Sequence, residues 1–129
     1  MTGKTVVIAD DEPHLTHIVA FNLRKAGLTV HVANNGAECV KLATAAPPDL
    51  IVSDYQMPVM DGLAACVRLK ADPRTANVPV IMLTARGHRL TAEELSQTNI
   101  QALLPKPFSA RDLLAKIGNV LDGQTKAAA

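Results

Sequence analysis

The chain alternates short apolar runs with longer stretches whose apolar residues recur every three or four positions. Residues 4–9 (KTVVIA) are largely apolar and β-branched, and they end abruptly at Asp10-Asp11-Glu12-Pro13. Pro13 suits the first turn of a helix, and Leu15, Ile18, Val19, Asn22, Leu23 and Ala26 follow at helical spacing until Gly27 stops it. Residues 28–33 (LTVHVA) alternate as a second strand and Asn34-Asn35-Gly36 turn the chain. Ala37, Val40, Leu42 and Ala43 then predict a second helix that ends before Pro47-Pro48.

The third strand, Leu50-Ile51-Val52-Ser53, suits burial on both faces and delivers one carboxylate, Asp54, to its end. Pro58 and Gly62 break regular structure, Asp61 is a natural helix N-cap, and Leu63, Ala64, Val67 and Leu69 predict a third helix closed by Asp72-Pro73. A fourth strand covers 80–83 and is terminated by Thr84 and Ala85. Residues 86–99 are polar, with weak periodicity around Leu90 and Leu95, so a fourth helix is expected there without clear bounds. A fifth strand is expected over 102–104, ending at Pro105-Lys106-Pro107. Ser109 then caps a last helix carrying Leu113, Leu114, Ile117, Val120 and Leu121. This gives one domain over residues 1–121, and the small, polar residues 122–129 are expected as a flexible tail.

Five strands alternating with five helical patterns predict an α/β fold, a parallel sheet covered by helices on both faces. In such open sheets a ligand sits beyond the carboxyl ends of the strands, where the strand order reverses.

Composition narrows the function. The 129 residues are 48% apolar with no Trp, one Tyr and two Phe, so the core must be aliphatic. A formal charge of +1 offers no basic field for nucleic acid and no pull toward anionic lipid. The apolar run 6–9 is too short for a signal-peptide core, and nothing approaches the roughly 18 apolar residues of a membrane span, so a soluble, cytoplasmic protein is expected. Cys39 and Cys66 lie in helical patterns and are expected as buried small residues. His14, His17, His31 and His88 are too scattered for zinc. GxGxxG, GxxxxGK[ST] and GxSxG are all absent.

The strand ends carry the chemistry. The fold rule brings Asp10 and Asp11, Asp54, Thr84 and Lys106 to one edge of the sheet. Three crowded carboxylates repel, and a divalent cation preferring hard oxygen ligands, above all Mg2+, would neutralise them. A hydroxyl and an ammonium then supply donors for the oxygens of a transferred phosphoryl group, with the Asp54 carboxylate as nucleophile. Taken singly, Asp10 and Asp11 suit a helix start, Thr84 an ordinary strand end and Lys106 a solvated loop. A charge at the end of a buried strand, such as Asp54, is costly without a partner.

The whole pattern resembles the receiver domain of two-component response regulators, built like the stand-alone chemotaxis regulator, over residues from about 4 to 121. The motifs are Asp10-Asp11, Asp54 with Met57-Pro58 and Asp61-Gly62, Thr84-Ala85, and Lys106-Pro107-Phe108. The resemblance implies a flavodoxin-like sheet in the order 2-1-3-4-5. It implies that Asp54 accepts a phosphoryl group from a sensor histidine kinase or a histidine phosphotransfer protein. Asp11, Asp54 and the backbone carbonyl of Gln56 would bind Mg2+, with Asp10 acting through water. Thr84 and Lys106 would hold the phosphoryl group, Pro58 and Gly62 would shape the loop, and a cis bond before Pro107 would aim the lysine.

This sequence departs from the family where Leu103 stands in place of an aromatic residue that changes rotamer with the signal. An aliphatic side chain cannot reproduce that movement, so output is expected through a reshaped face of the fourth helix, fifth strand and fifth helix. Gln56 and Arg86 occupy positions that tune phosphoryl loss in the family. Two other classes fit the sequence less well. A small aspartyl-phosphate phosphatase or phosphotransferase would usually place its nucleophile after the first strand and carry a cap. A flavodoxin-like binding module would want Ser, Thr and Gly in the acidic first loop.

Overall fold

The computed structural model describes residues 2–128, with side chains described from 2 to 123. Five strands, β1 (Thr5–Ala9), β2 (Thr29–Ala33), β3 (Leu50–Asp54), β4 (Val80–Thr84) and β5 (Ile100–Pro105), form one parallel sheet in the order β2-β1-β3-β4-β5. Between and after them run α1 (Pro13–Lys25), α2 (Gly36–Ala45), α3 (Gly62–Ala71), α4 (Ala92–Ser96) and α5 (Ala110–Ala128). The expected architecture and strand order are therefore observed.

Alternating side chains of the central strands feed two aliphatic cores, one on each face. Val6, Ile8, Leu50, Val52, Ile81 and Leu83 pack with Val19 and Leu23 of α1 and Leu113 and Ile117 of α5. Val7, Ala9, Ile51, Val80 and Met82 pack on the other side with Cys39 and Ala43 of α2 and Cys66 and Leu69 of α3. Each fully buried Leu, Ile or Val contributes about 1.5–3 kcal/mol, and occupation of both faces explains why β3 reads as an unbroken apolar run. Both cysteines are free and buried as expected, and burial pushes the Cys39 thiol up to about 12 and the Cys66 thiol higher still.

Three helix starts, at Pro13, Asp61 and Ser109, follow the sequence reading, and Asn35, read only as part of a turn, also caps a helix. Pro13 opens α1. The Asn35 side chain accepts from the Glu38 amide at 2.8 Å to open α2, and Asp61 accepts from the Ala64 amide at 2.7 Å to open α3. At α5, the Ser109 hydroxyl oxygen accepts from the Asp112 amide at 3.0 Å.

Two elements differ in extent. β5 is longer than expected, Ile100–Pro105 rather than 102–104, because as an edge strand it mixes buried Ile100 and Leu104 with exposed Gln101. α4 is one short turn with no buried residue, so no apolar stripe marks it in the sequence. Beyond Leu121, where the apolar pattern stops, α5 runs on to Ala128; side chains past Gly123 lie outside those described. No helix among the described residues is long and apolar enough to cross a membrane.

Candidate phosphoacceptor site

Strand register assembles the site. Ala9 pairs with Ser53, so Asp10 and Asp54 leave neighbouring strands side by side at the point where the strand order reverses. Thr84 pairs with Pro105, which puts Lys106 one residue beyond the sheet, and its amide donates to the Thr84 carbonyl at 2.8 Å. The bond between Lys106 and Pro107 is cis, as the resemblance implied.

At the centre, the Lys106 ammonium donates to Asp10 Oδ2 at 3.1 Å and lies 3.3 Å from Asp54 Oδ2. Asp10 is 1% exposed, and its other oxygen accepts from the Glu12 amide at 3.0 Å. Asp11 stands exposed at the rim. One carboxylate oxygen from each of Asp10, Asp11 and Asp54 lies within 4.8 Å of the others. Burial, and then the charge of Asp10, raise the Asp54 carboxyl above its ordinary range, while Lys106 pulls it down. Burial alone would lower Lys106, but its hydrogen bond to Asp10 and the charges of Asp10 and Asp54 hold its ammonium above the ordinary 10.5. Three carboxylates against one ammonium leave an excess of two negative charges confined to oxygen donors, a donor set that fits a hard divalent cation.

A cleft of about 500 Å³ opens over this cluster, lined by Asp54, Gln56, Thr84, Ala85, Arg86 and Lys106 together with Tyr55 and His88. The sequence-derived residues Asp54, Gln56, Thr84 and Lys106 therefore meet in one place. Leu103 does not join them. It lines a separate groove of about 410 Å³ with Leu90, Leu95, Ile100 and Ala102, on the side of α4 and β5.

The loop between β3 and α3 is pinned by close backbone contacts. The Gly62 amide donates to the Tyr55 carbonyl at 2.9 Å, and the Gly36 amide donates to the Met60 carbonyl at 2.9 Å. A Cβ on Gly62 would strike the Asp54 carbonyl oxygen, so only glycine lets α3 start this close to the strand end. The Met60 amide donates to the Pro58 carbonyl at 2.7 Å in a γ-turn centred on Val59, whose φ of +69° is strained for a β-branched residue.

Tyr55, His88 and Glu94 are the site neighbours that sequence reasoning missed. The Tyr55 ring packs on His88 with centroids 4.5 Å apart, and its hydroxyl donates to Glu94 at a long 3.5 Å. Burial, and then the Glu94 charge, raise the Tyr55 hydroxyl above its ordinary value. The position of Tyr55 directly after Asp54 was the one available signal, because His88 and Glu94 reach it only through the tertiary fold.

A partly buried aspartate at the tip of a central parallel strand, bridged by a lysine to a second, fully buried acid, defines a phosphoacceptor-type α/β domain. Comparison with known proteins agrees: residues 6–118 match the response regulator receiver domain, and the chain belongs to that family. It is 37% identical over 116 residues to the DNA-binding dual master transcriptional regulator RpaA of Synechocystis, covering 90% of this chain and 48% of that protein. It is 35% identical over 121 residues to the phosphate regulon transcriptional regulatory protein PhoB of Pseudomonas aeruginosa, covering 94% and 53%. The chain thus spans about half the length of the curated relatives it matches. Among solved structures, the chemotaxis response regulator CheY4 of Vibrio cholerae superposes with a TM-score of 0.85 at 29% identity, covering 92% of this chain and 99% of that one. The receiver domain of sensor histidine kinase PA1611 from Pseudomonas aeruginosa, solved with magnesium coordinated in its active site cleft, gives 0.83 at 26% identity, covering 94% and 99%.

Proposed function

We propose that this receiver domain takes a phosphoryl group onto Asp54 from the phosphohistidine of a sensor histidine kinase or a histidine phosphotransfer protein. The observation that carries the reading is the Lys106 ammonium placed between Asp10 and Asp54 at the mouth of the cleft. In this reading an Asp54 carboxylate oxygen attacks phosphorus in line, the phosphorus–nitrogen bond breaks, and the donor imidazole leaves with the electron pair. Lys106 then shifts toward the new phosphoryl oxygens while keeping Asp10 as its second partner, and the Thr84 hydroxyl donates to another oxygen. Gln56 and Arg86 at the rim control how water reaches the acyl phosphate.

Asp11, Asp54 and the Gln56 carbonyl, with Asp10 through water, would hold Mg2+. When bound, the ion offsets the excess carboxylate charge and the charge on the phosphoryl oxygens. The domain assists transfer onto its own side chain and turns over no separate substrate. Residues 1–121 form the working unit, in the cytoplasm. A protein partner reads the state of Asp54 from the face of α4, β5 and α5. Support for that face comes from its apolar groove, where Leu95 is 49% exposed and Leu90 and Leu103 line the wall.

The test is incubation with acetyl phosphate and Mg2+ followed by intact mass measurement. A gain of one phosphoryl group, absent without Mg2+ and absent in Asp54→Asn, is expected. Labelling that survives either change defeats the assignment.

A further inference from the structure

We infer that Tyr55 couples the Asp54 site to α4 by way of His88 and Glu94. The backbone of Tyr55 is tied to the strand end that bears Asp54: its amide donates to the Leu83 carbonyl at 3.0 Å and its carbonyl accepts from Gly62 at 2.9 Å. Its ring cannot ignore a displacement of Asp54. That ring carries two contacts outward, one to the loop that follows Thr84 and one to α4 itself.

The loop contact is His88, stacked on Tyr55 at 4.5 Å with a 55° tilt and held by its own amide to the Ala85 carbonyl at 3.1 Å. Its Nε2 is buried and has no hydrogen-bond partner, an unfavourable state for a polar atom. This loop conformation therefore leaves a polar group unsatisfied that another conformation could satisfy. The α4 contact is Glu94, which has two duties: Oε1 accepts from the Thr91 amide at 2.8 Å to complete the capping box, and Oε2 faces the Tyr55 hydroxyl.

Because α4 has five residues and none is buried, few other attachments hold it. Leu103 lines a different groove from the cleft. A phosphoryl group in the cleft displaces Thr84, Ala85 or Tyr55. The Tyr55 ring passes that displacement to His88 and Glu94, and α4 changes position.

This inference rests on the phosphoacceptor reading of Asp54, and its test separates the two. Amide chemical shifts are followed in 15N-labelled protein as Mg2+ and beryllium fluoride are added. In the unaltered chain, the Ala85 and Lys106 amides and those of Glu93, Glu94 and Gln97 are all expected to shift. In Tyr55→Leu and, on the other element, His88→Ala, the Ala85 and Lys106 shifts persist while the α4 shifts fall at least threefold. Tyr55→Phe, which keeps the ring and loses the hydroxyl, gives an intermediate loss. Full α4 shifts in His88→Ala, or in a folded Tyr55→Leu, overturn the coupling role. If neither the cleft nor α4 responds in the unaltered chain, the phosphoacceptor reading itself falls, and the coupling role falls with it.

Discussion

Replacing Lys106 with methionine isolates the electrostatic core of the site. Its ammonium lies 3.1 Å from Asp10 and 3.3 Å from Asp54, and at an effective dielectric of about 20 each pair is worth about 5 kcal/mol of direct attraction. Desolvating the ammonium offsets much of this, and the Lys106 side chain is still 32% exposed, so water screens part of the rest. Removing one partner of a fully buried pair costs about 3–5 kcal/mol, which is an upper bound here, and a loss of about 2 kcal/mol is expected at pH 7. The loss depends on pH with a definite sign. Without Lys106, Asp54 keeps the burial and the Asp10 charge that raise it and loses the two influences from Lys106 that lower it. A raised folded-state carboxyl contributes stability that is full below its unfolded value and lost as pH rises through the folded value. The deficit of Lys106→Met relative to the unaltered chain therefore shrinks between pH 7 and pH 5. With no Trp in the chain, urea unfolding followed by far-ultraviolet circular dichroism is the suitable assay. Adding Asp10→Asn to Lys106→Met should return at least half of the loss, since the fully buried carboxylate is then neutral and its charge no longer raises Asp54. A Lys106→Met protein within about 0.5 kcal/mol of the unaltered chain at both pH values, or a deficit that grows on acidification, refutes the reasoning.

Three further outcomes are expected. Gly62→Ala forces a Cβ against the Asp54 carbonyl oxygen, where backbone must yield, so it should lose about 1–3 kcal/mol in a urea titration and slow acetyl phosphate labelling. Mg2+ at a hundredfold excess over its dissociation constant should stabilise the protein by about 2.7 kcal/mol, and Asp11→Asn should require a higher Mg2+ concentration for the same rise in melting temperature. Leu113→Ala, fully buried between α5 and the sheet, should cost about 2–5 kcal/mol in urea while leaving Mg2+-dependent labelling of the folded fraction intact.

The sequence was most legible where one physical constraint acted alone. Val6, Val7 and Ile8 or Leu50, Ile51 and Val52 had to be buried on both faces, and Asp61 and Pro13 had to sit at helix starts. Asp10, Asp54, Thr84 and Lys106 were readable as one site because a parallel sheet delivers every strand end to the same edge. α4 was not readable in extent, since a surface turn without buried residues has no hydrophobic period; the Thr91 to Glu94 capping box, which could have bounded it, went unread. β5 was read short because exposed Gln101 interrupts an edge strand whose pairing with β4 shifts register near Val80 and Ile81. The Tyr55, His88 and Glu94 contacts were hidden because residues 39 apart in the chain meet only after the sheet is built.

The proposed acceptor of phosphorus is one atom, a carboxylate oxygen of Asp54. Acyl phosphates are reduced by borohydride, which marks the modified residue permanently as an alcohol. After labelling with acetyl phosphate and Mg2+, borohydride treatment and peptide mapping should find homoserine in place of Asp54, with Asp10 and Asp11 unmodified. Reduction at Asp10 or Asp11, or labelling recovered on a histidine or serine, contradicts the account.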